Sequence, residues 1–295
     1  MPPSAGGGDS WMPLLSSDGR FVLFASTANN LAAISSNNPS PVLLPPKENV
    51  FLRDRVNGTT TLVSVNAKRT GGGNGDSWPA ALSVDGHYAL FESIASDLVP
   101  NDTNRCSDVF LRDLLSQTTW LVSISTNSGA ANGTSGNATM TPDARFIAFV
   151  SAANDLVAAD TNGISDLFVR DMQLGSTVLA SPGAVSTNHT APSGGSDSPI
   201  ITPDGRYVAF YSTATNLVPG VRSTGEVYIR DLMLGVTTWA SGYVRSTLQT
   251  ARHWTNPISY GHVLSTNGDF IAFEASTNPP SAGVVLRYSL QTALT

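Results

Sequence analysis

The chain has 295 residues, a formal net charge of −6 and 41% hydrophobic residues, which is enough apolar material to build a core in one or two domains. Charged residues make up only 13% of the sequence and form no basic cluster, which argues against nucleic acid or an anionic membrane as a partner. The single cysteine, Cys106, excludes an intrachain disulfide, and no apolar run is long enough to insert in a membrane.

One sequence pattern occurs five times along the chain. The first series reads SSDGRFVLFAS at 16–26, SVDGHYALFES at 83–93, TPDARFIAFVS at 141–151, TPDGRYVAFYS at 202–212 and STNGDFIAFEAS at 265–276. A second series follows each copy, and its register is marked by Arg53, Arg112, Arg170, Arg230 and Arg287. The repeat is therefore about 59 residues long, which is typical of a repeat architecture.

Each repeat contains four strand-like segments, which in the second copy read SWPAALS (A), HYALFES (B), DVFLRD (C) and TTWLVSI (D). Strand B is apolar at nearly every position, so we expect other sheets to cover both of its faces. The pattern predicts an all-β protein, a β-propeller with five four-stranded blades of about 59 residues, in one domain over 1–295. The predicted blades cover approximately 9–65, 76–124, 135–181, 196–241 and 257–295.

The pattern S-x-D-G-R-[FY]-x-x-F-x-S, followed by D-[VL]-[FY]-[LV]-R-D, resembles the WD-like repeats of TolB-type bacterial propellers. The resemblance covers essentially the whole chain and implies the propeller fold. It also implies a binding module, or a scaffold or gate attached to other domains, without shared catalytic residues. The fifth copy departs from the pattern, since Asn267 replaces Asp and Tyr288 follows Arg287.

The last repeat is short, and this leaves three arrangements open. Five blades can close with a thin edge on the fifth, the chain can be a fragment of a longer array, or an edge can pair with a second chain. A closed ring predicts a monomer, and an open edge predicts an edge-mediated oligomer.

The leading functional prediction is a non-catalytic binding or scaffolding module for a protein, peptide or glycan. We expect its ligand on the face that carries the long D-to-A and B-to-C loops, around the central channel. The candidate ligand-binding residues lie at the approaches to strand A and in the least repeat-like segment, ARHWTNP: Asp9, Trp11, Asp76, Trp78, Asp197, Arg252, His253 and Trp254.

Two alternatives stay open. Asp9, Asp76 and Asp197 around a five-bladed channel resemble the carboxylates of arabinanase-type glycosidases, which would make the protein a hydrolase. The third interpretation is a purely structural repeat array that is part of a larger protein. A low lysine content and abundant Ser, Thr, Asn and Gly favour a periplasmic or extracellular location.

Two B-to-C loops, NDTNRCSD at 101–108 and ADTNGISD at 159–166, place oxygen ligands at loop positions 1, 3 and 7. The predicted ligands are Asp102, Asn104 and Asp108, and likewise Asp160, Asn162 and Asp166. Such loops can bind calcium, although they lack the remaining ligands of a complete calcium loop; the alternative is Asx turns that order the loop. No other cofactor is predicted. The repeated Arg-Asp pair is interpreted as structural, with Arg170 pairing a carboxylate or capping carbonyls.

Overall fold

The computed structural model describes residues 6–32, 47–158, 160–184, 195–221, 225–242, 246, 248–250, 257–265, 268–277 and 283–290. The chain divides into two compact units. The first consists of Met1–Ala144 and Ala153–Ala158, and the second of Arg145–Ala152 and Ala159–Thr295.

The described residues of the first unit form nine strands. They are β1 (Ser10–Leu15), β2 (Phe21–Ser26), β3 (Asn49–Asp54), β4 (Thr59–Leu62), β5 (Ser77–Leu82), β6 (Tyr88–Ser93), β7 (Asp108–Asp113), β8 (Thr118–Leu121) and β9 (Ser135–Met140).

In the part of the second unit that the structure describes there are ten strands. They are β10 (Phe146–Ser151), β11 (Asp166–Asp171), β12 (Ser176–Leu179), β13 (Ser196–Ile201), β14 (Tyr207–Ser212), β15 (Glu226–Asp231), β16 (Val236–Trp239), β17 (Pro257–Leu264), β18 (Phe270–Thr277) and β19 (Gly283–Ser289). Helical residues occur at 242, 246 and 248–250, and no helix among the described residues has the length and apolar character needed to cross a membrane.

These strands form five antiparallel sheets, each built from strands that are consecutive in the chain. Four of the sheets have four strands, as predicted, but the last consists of β17, β18 and β19 alone. The prediction of a fourth strand in every blade is therefore wrong for the described part of the fifth sheet. In the second sheet, β8 begins six residues after Arg112, and the position six residues after Arg287 lies outside the described residues.

The tight turn between the first two strands of a sheet is set by its Ser-x-Asp-Gly sequence. In the second sheet, Ser83 Oγ donates to Asp85 Oδ1 at 2.6 Å, and the His87 backbone N–H donates to the same oxygen at 3.0 Å. Gly86 has a φ of 72°, a conformation that glycine adopts without the strain of a Cβ atom. The side chain of Asp85 thus replaces a main-chain partner within the turn.

The two central strands of each four-stranded sheet supply the core. Phe91 of β6 and Phe110 of β7 are fully buried and stack with their ring centroids 5.5 Å apart. These rings belong to a cluster that also contains Leu23 of β2 and Val50 of β3, so the first and second sheets share one core. The apolar residues on both faces of the central strands are buried for this reason.

Candidate functional site

Three of the sheets carry an ion pair between the first turn and the end of the third strand. In the first sheet, Arg20 Nη2 donates to Asp54 Oδ2 at 2.8 Å, and the guanidinium carbon lies 4.6 Å from the centroid of the Phe21 ring. The Arg20 guanidinium lowers the pKa of Asp54. The same pairs in the second unit are Arg145–Asp171 at 3.0 Å and Arg206–Asp231 at 2.9 Å. Because the pair recurs, we interpret it as part of the architecture.

The arginine of the Arg-Asp motif has a different partner from the one predicted. Arg170 Nη1 donates to the hydroxyl oxygen of Thr177 at 3.0 Å, on the neighbouring strand β12. The expectation that Arg170 pairs a carboxylate or caps carbonyls is therefore wrong. The reason is the register, which places Arg170 directly opposite Thr177. The counterparts are Arg53–Thr60 at 3.1 Å, Arg112–Thr119 at 2.9 Å and Arg230–Thr237 at 3.1 Å.

The first predicted cation loop is held by hydrogen bonds between its own side chains. Asn104 Nδ2 donates to Asp108 Oδ2 at 2.6 Å and to the carbonyl of Ala131 at 2.7 Å, while Asn104 Oδ1 accepts from the Cys106 backbone N–H at 2.9 Å. Ser123 Oγ donates to the other Asp108 oxygen at 2.6 Å. The side-chain oxygens of Asn104 and Asp108 thus accept from protein donors, as expected for the Asx-turn alternative.

Burial changes the acidity of the carboxyl groups in this loop. Asp108 is completely buried, and this burial raises its pKa to about 7. Burial also raises the pKa of Asp102, whose Oδ1 atom is buried without a hydrogen-bond partner. Both groups therefore favour the protonated state more than an exposed aspartate does.

The second predicted cation loop repeats this arrangement. Asn162 Nδ2 donates to Asp166 Oδ2 at 2.6 Å and to the carbonyl of Ala184 at 3.1 Å, and Ser181 Oγ donates to Asp166 Oδ1 at 2.6 Å. Burial raises the pKa of Asp166 to about 6 and also raises the pKa of Asp160. Within the described ranges, no group of three His, Cys, Asp or Glu residues is placed to hold a metal ion. Calcium binding stays a prediction from the sequence.

The structure brings Asp76 and Trp78 together through a residue that the sequence analysis did not select, Glu48. Asp76 Oδ1 accepts from the Glu48 backbone N–H at 2.9 Å, and Trp78 Nε1 donates to Glu48 Oε2 at 2.6 Å. Glu48 lies in the PPKENV segment, at the position where the second and third repeats have serine before their loop aspartate. That comparison of repeats is the one signal that could have singled out Glu48.

The remaining candidates within the described residues are Asp9, Trp11 and Asp197. Asp9 is exposed, and its main-chain carbonyl accepts from the Thr27 N–H at 3.0 Å. Trp11 is half-buried in β1. Asp197 belongs to the second unit, is exposed, and accepts from the Ser198 N–H at 2.6 Å.

The three predicted ligand-binding residues of the ARHWTNP segment lie outside the described residues: Arg252, His253 and Trp254.

Each unit also contains a cavity that the sequence did not predict. The cavity in the first unit has a volume of about 200 Å³ and is lined by two arginines, Arg69 and Arg112. The cavity in the second unit has a volume of about 360 Å³, and the Arg206 and Asp171 side chains lie in its wall beside Phe146 and Met233.

No known family matches the sequence, and no curated protein matches it either. Solved structures do match. The β-propeller domain of the Trilobed protease from Pyrococcus furiosus is 11% identical, with a TM-score of 0.54 over 96% of this chain and 70% of that chain. A puromycin-hydrolyzing peptidase of Mycobacterium tuberculosis is 11% identical, with a TM-score of 0.52 over 95% of this chain and 37% of that one.

Prolyl oligopeptidase B from Galerina marginata is 12% identical, with a TM-score of 0.50 over 96% of this chain and 34% of that one. The chain thus spans about a third of the length of the two peptidases. These similarities show an all-β fold of the β-propeller type.

They also overturn the leading functional prediction. We expected a non-catalytic binding or scaffolding module with its ligand on the long-loop face, and this prediction is wrong. The matching structures are a protease propeller domain and two peptidases. The glycosidase and the purely structural array were alternatives within the same prediction, and the similarity does not favour them.

Proposed function

We propose that this chain is the propeller domain of a peptidase-like protein and that it acts on peptides together with a separate catalytic domain. The observation that carries the proposal is the similarity in fold, which extends over 95% or 96% of this chain in each of the three matching structures. At 11% or 12% identity the likeness is one of fold, so the assignment to peptidase chemistry is our inference.

The topology supports the proposal. The Pyrococcus propeller domain has an open velcro topology. In the part of this chain that the structure describes, every sheet likewise consists of consecutive strands, and no sheet combines the first strands of the chain with the last. The finer assignments, to TolB-type repeats, to five four-stranded blades and to a periplasmic or extracellular location, remain proposals from the residue pattern and composition.

The test is whether peptidase activity copurifies with the protein when it is isolated from the cells that produce it. An affinity tag is added to the chromosomal copy, the tagged protein is purified under native conditions, and its polypeptide mass is measured. Fluorogenic peptides of different lengths then report hydrolysis. We expect hydrolysis by a polypeptide that either contains these 295 residues or elutes with them.

Two comparisons make the experiment decisive. The recombinant 295-residue chain, assayed at the same concentration, shows whether hydrolysis needs a further domain. A tagged propeller protein of unrelated function from the same cells measures the background. A purified tagged protein with no hydrolysis above that background would overturn the proposal.

A further inference from the structure

The cavity of the first unit lies between the first and second sheets. Its wall contains Thr60 and Leu62 of β4, Arg112 of β7, and Arg69 and Gln117 from connecting segments. Its volume of about 200 Å³ is sufficient for a small organic molecule. The charged side chains that line the cavity are the two arginines, and the apolar side chains that line it are aliphatic.

Arg112 lies in an unusual environment for a positive charge. Arg112 is only 7% exposed, whereas the arginines at the same repeat position are half-buried: Arg53, Arg170 and Arg230. Its Nη1 atom donates to Thr119, but its Nε atom is buried without a hydrogen-bond partner. Arg170 shares this buried and unpartnered Nε atom. What distinguishes Arg112 is that it lines the cavity together with Arg69, where its guanidinium charge can attract an anion.

The neighbouring carboxylate does not supply that acceptor. Asp113 accepts from the Leu115 and Ser116 backbone N–H groups at 2.8 and 3.0 Å and from the Ser116 hydroxyl at 2.7 Å. His87 stands where three other sheets have an arginine that pairs with the aspartate of this motif. The charged residues of the second sheet are therefore arranged differently from those of the three sheets that carry this arginine.

Arg69 adds a second positive charge to the same cavity. It is exposed, and its Nη2 atom donates to the Gln117 carbonyl at 3.0 Å, which holds the side chain across the gap between the two sheets. Burial lowers the pKa of Arg112, and the proximity of Arg69 lowers it further. Two guanidinium groups that repel each other attract an anion placed between them.

We propose that this cavity binds an organic carboxylate that carries a short aliphatic group. The forked donors of a guanidinium match the two oxygens of a carboxylate. The cavity wall also contains three apolar side chains, those of Leu62, Val65 and Leu114. An aliphatic group would cover them, whereas an inorganic anion would leave them exposed to solvent. This site is independent of the proposed peptidase association and lies wholly within the first unit.

The experiment measures binding of 4-methylpentanoate to the purified chain by calorimetry and by NMR of the arginine side chains. The uncharged analogue 4-methylpentanamide and inorganic phosphate are measured in parallel. We expect the carboxylate to bind, the amide and phosphate to bind at least about tenfold more weakly, and salt to weaken the binding of the two anions but not that of the amide.

Variants locate the site. Arg69→Gln removes one charge from an exposed side chain and is expected to weaken carboxylate binding about tenfold or more without loss of the fold. Arg112→Gln is expected to have at least the same effect. The matched control is Arg230→Gln, which removes the arginine at the same repeat position in the second unit and should leave the affinity unchanged.

Three results would overturn the proposal: no carboxylate binding, equal binding of the amide, or binding of phosphate alone. Unchanged affinity in Arg69→Gln would overturn it as well. If Arg112→Gln does not fold, the Arg69→Gln result decides, since that side chain lies at the surface.

Discussion

The first and second sheets have the same strand order but different polar residues at the start of their third strands. Asn49 begins β3 and Asp108 begins β7, and both face a serine of the following segment. Ser64 Oγ donates to Asn49 Oδ1 at 2.9 Å, and Ser123 Oγ donates to Asp108 Oδ1 at 2.6 Å. A neutral amide and a buried carboxyl group thus satisfy the same structural role, although only the carboxyl group can ionise.

The two sheets also differ at their first turn. Arg20 of the first sheet pairs with Asp54, whereas His87 of the second sheet contacts Asp85 through Nδ1 at 2.9 Å. The hydrogen bonds within the turn are the same in both sheets. The repeat thus keeps its backbone geometry while its charged residues change. A ligand site is therefore best sought where the charged residues differ from those of the other repeats.

The largest expected effect comes from making the second sheet resemble the first, with Asp108→Asn. The pKa of Asp108 is about 7 in the folded protein, against 3.8 for an ordinary aspartate. As the pH rises through this interval, the unfolded chain loses a proton that the folded protein retains, so stability is lost with rising pH. At about 1.4 kcal/mol for each pKa unit, the loss reaches about 4 kcal/mol above pH 7.

Asparagine is neutral like the protonated carboxyl group. Its oxygen can accept from Asn104 Nδ2, and its amide N–H can donate to Ser123 Oγ, which then accepts where it donates to Asp108 in the original chain. We therefore expect Asp108→Asn to be more stable than the original chain at pH 8 and nearly equal to it below about pH 4. Urea unfolding at the two pH values measures the difference. The reciprocal control, Asn49→Asp, should be destabilised at pH 8. If Asp108→Asn instead abolishes a stabilisation by calcium that EDTA removes, the loop binds the ion.

The next largest effect concerns the glycines of the equivalent turns. A Cβ atom at Gly86 would lie 2.4 Å from the Phe21 ring, whereas a Cβ atom at Gly19 would meet only an arginine nitrogen, at 3.8 Å. Both residues have positive φ, at 72° and 68°. Gly19→Ala should cost about 1 kcal/mol from backbone strain, and Gly86→Ala about 1–3 kcal/mol more because the ring must move. Thermal unfolding of the two variants tests this, and equal losses would contradict the steric argument.

The sequence predicted these turns because their signal is local. Ser-x-Asp-Gly encodes its own hydrogen bonds, and the nearly continuous apolar run of strand B indicates that this strand is covered on both faces. The partner of Arg170 is set by strand register, which the sequence pattern alone did not resolve, so Thr177 was not predicted. The contacts of Asn104 Nδ2 with the Ala131 carbonyl and of Asp108 with Ser123 were missed for a similar reason, because these partners come from distant segments.

The cavity beside Arg112 was also beyond prediction from the repeat. A repeat identifies what equivalent positions share, whereas this cavity depends on Arg69, which lies in a loop where the repeats differ. The nearest sequence signal is His87, which stands where three other repeats have arginine. Departures from the repeat therefore indicate sites more directly than the repeated charges do.

The smallest expected effect comes from restoring that arginine with His87→Arg. A guanidinium at this position can reach Asp113 and stack on Tyr88, as Arg206 pairs with Asp231 and lies 4.8 Å from the Tyr207 ring centroid. Because an ion pair at this exposed turn is screened by solvent, the gain in unfolding free energy should be below about 1 kcal/mol. The gain should fall in high salt, and urea unfolding at two salt concentrations measures it. A matched Arg20→His variant should lose stability in the first sheet; if neither substitution changes stability, the repeated ion pair contributes to the turn's geometry and not to its free energy.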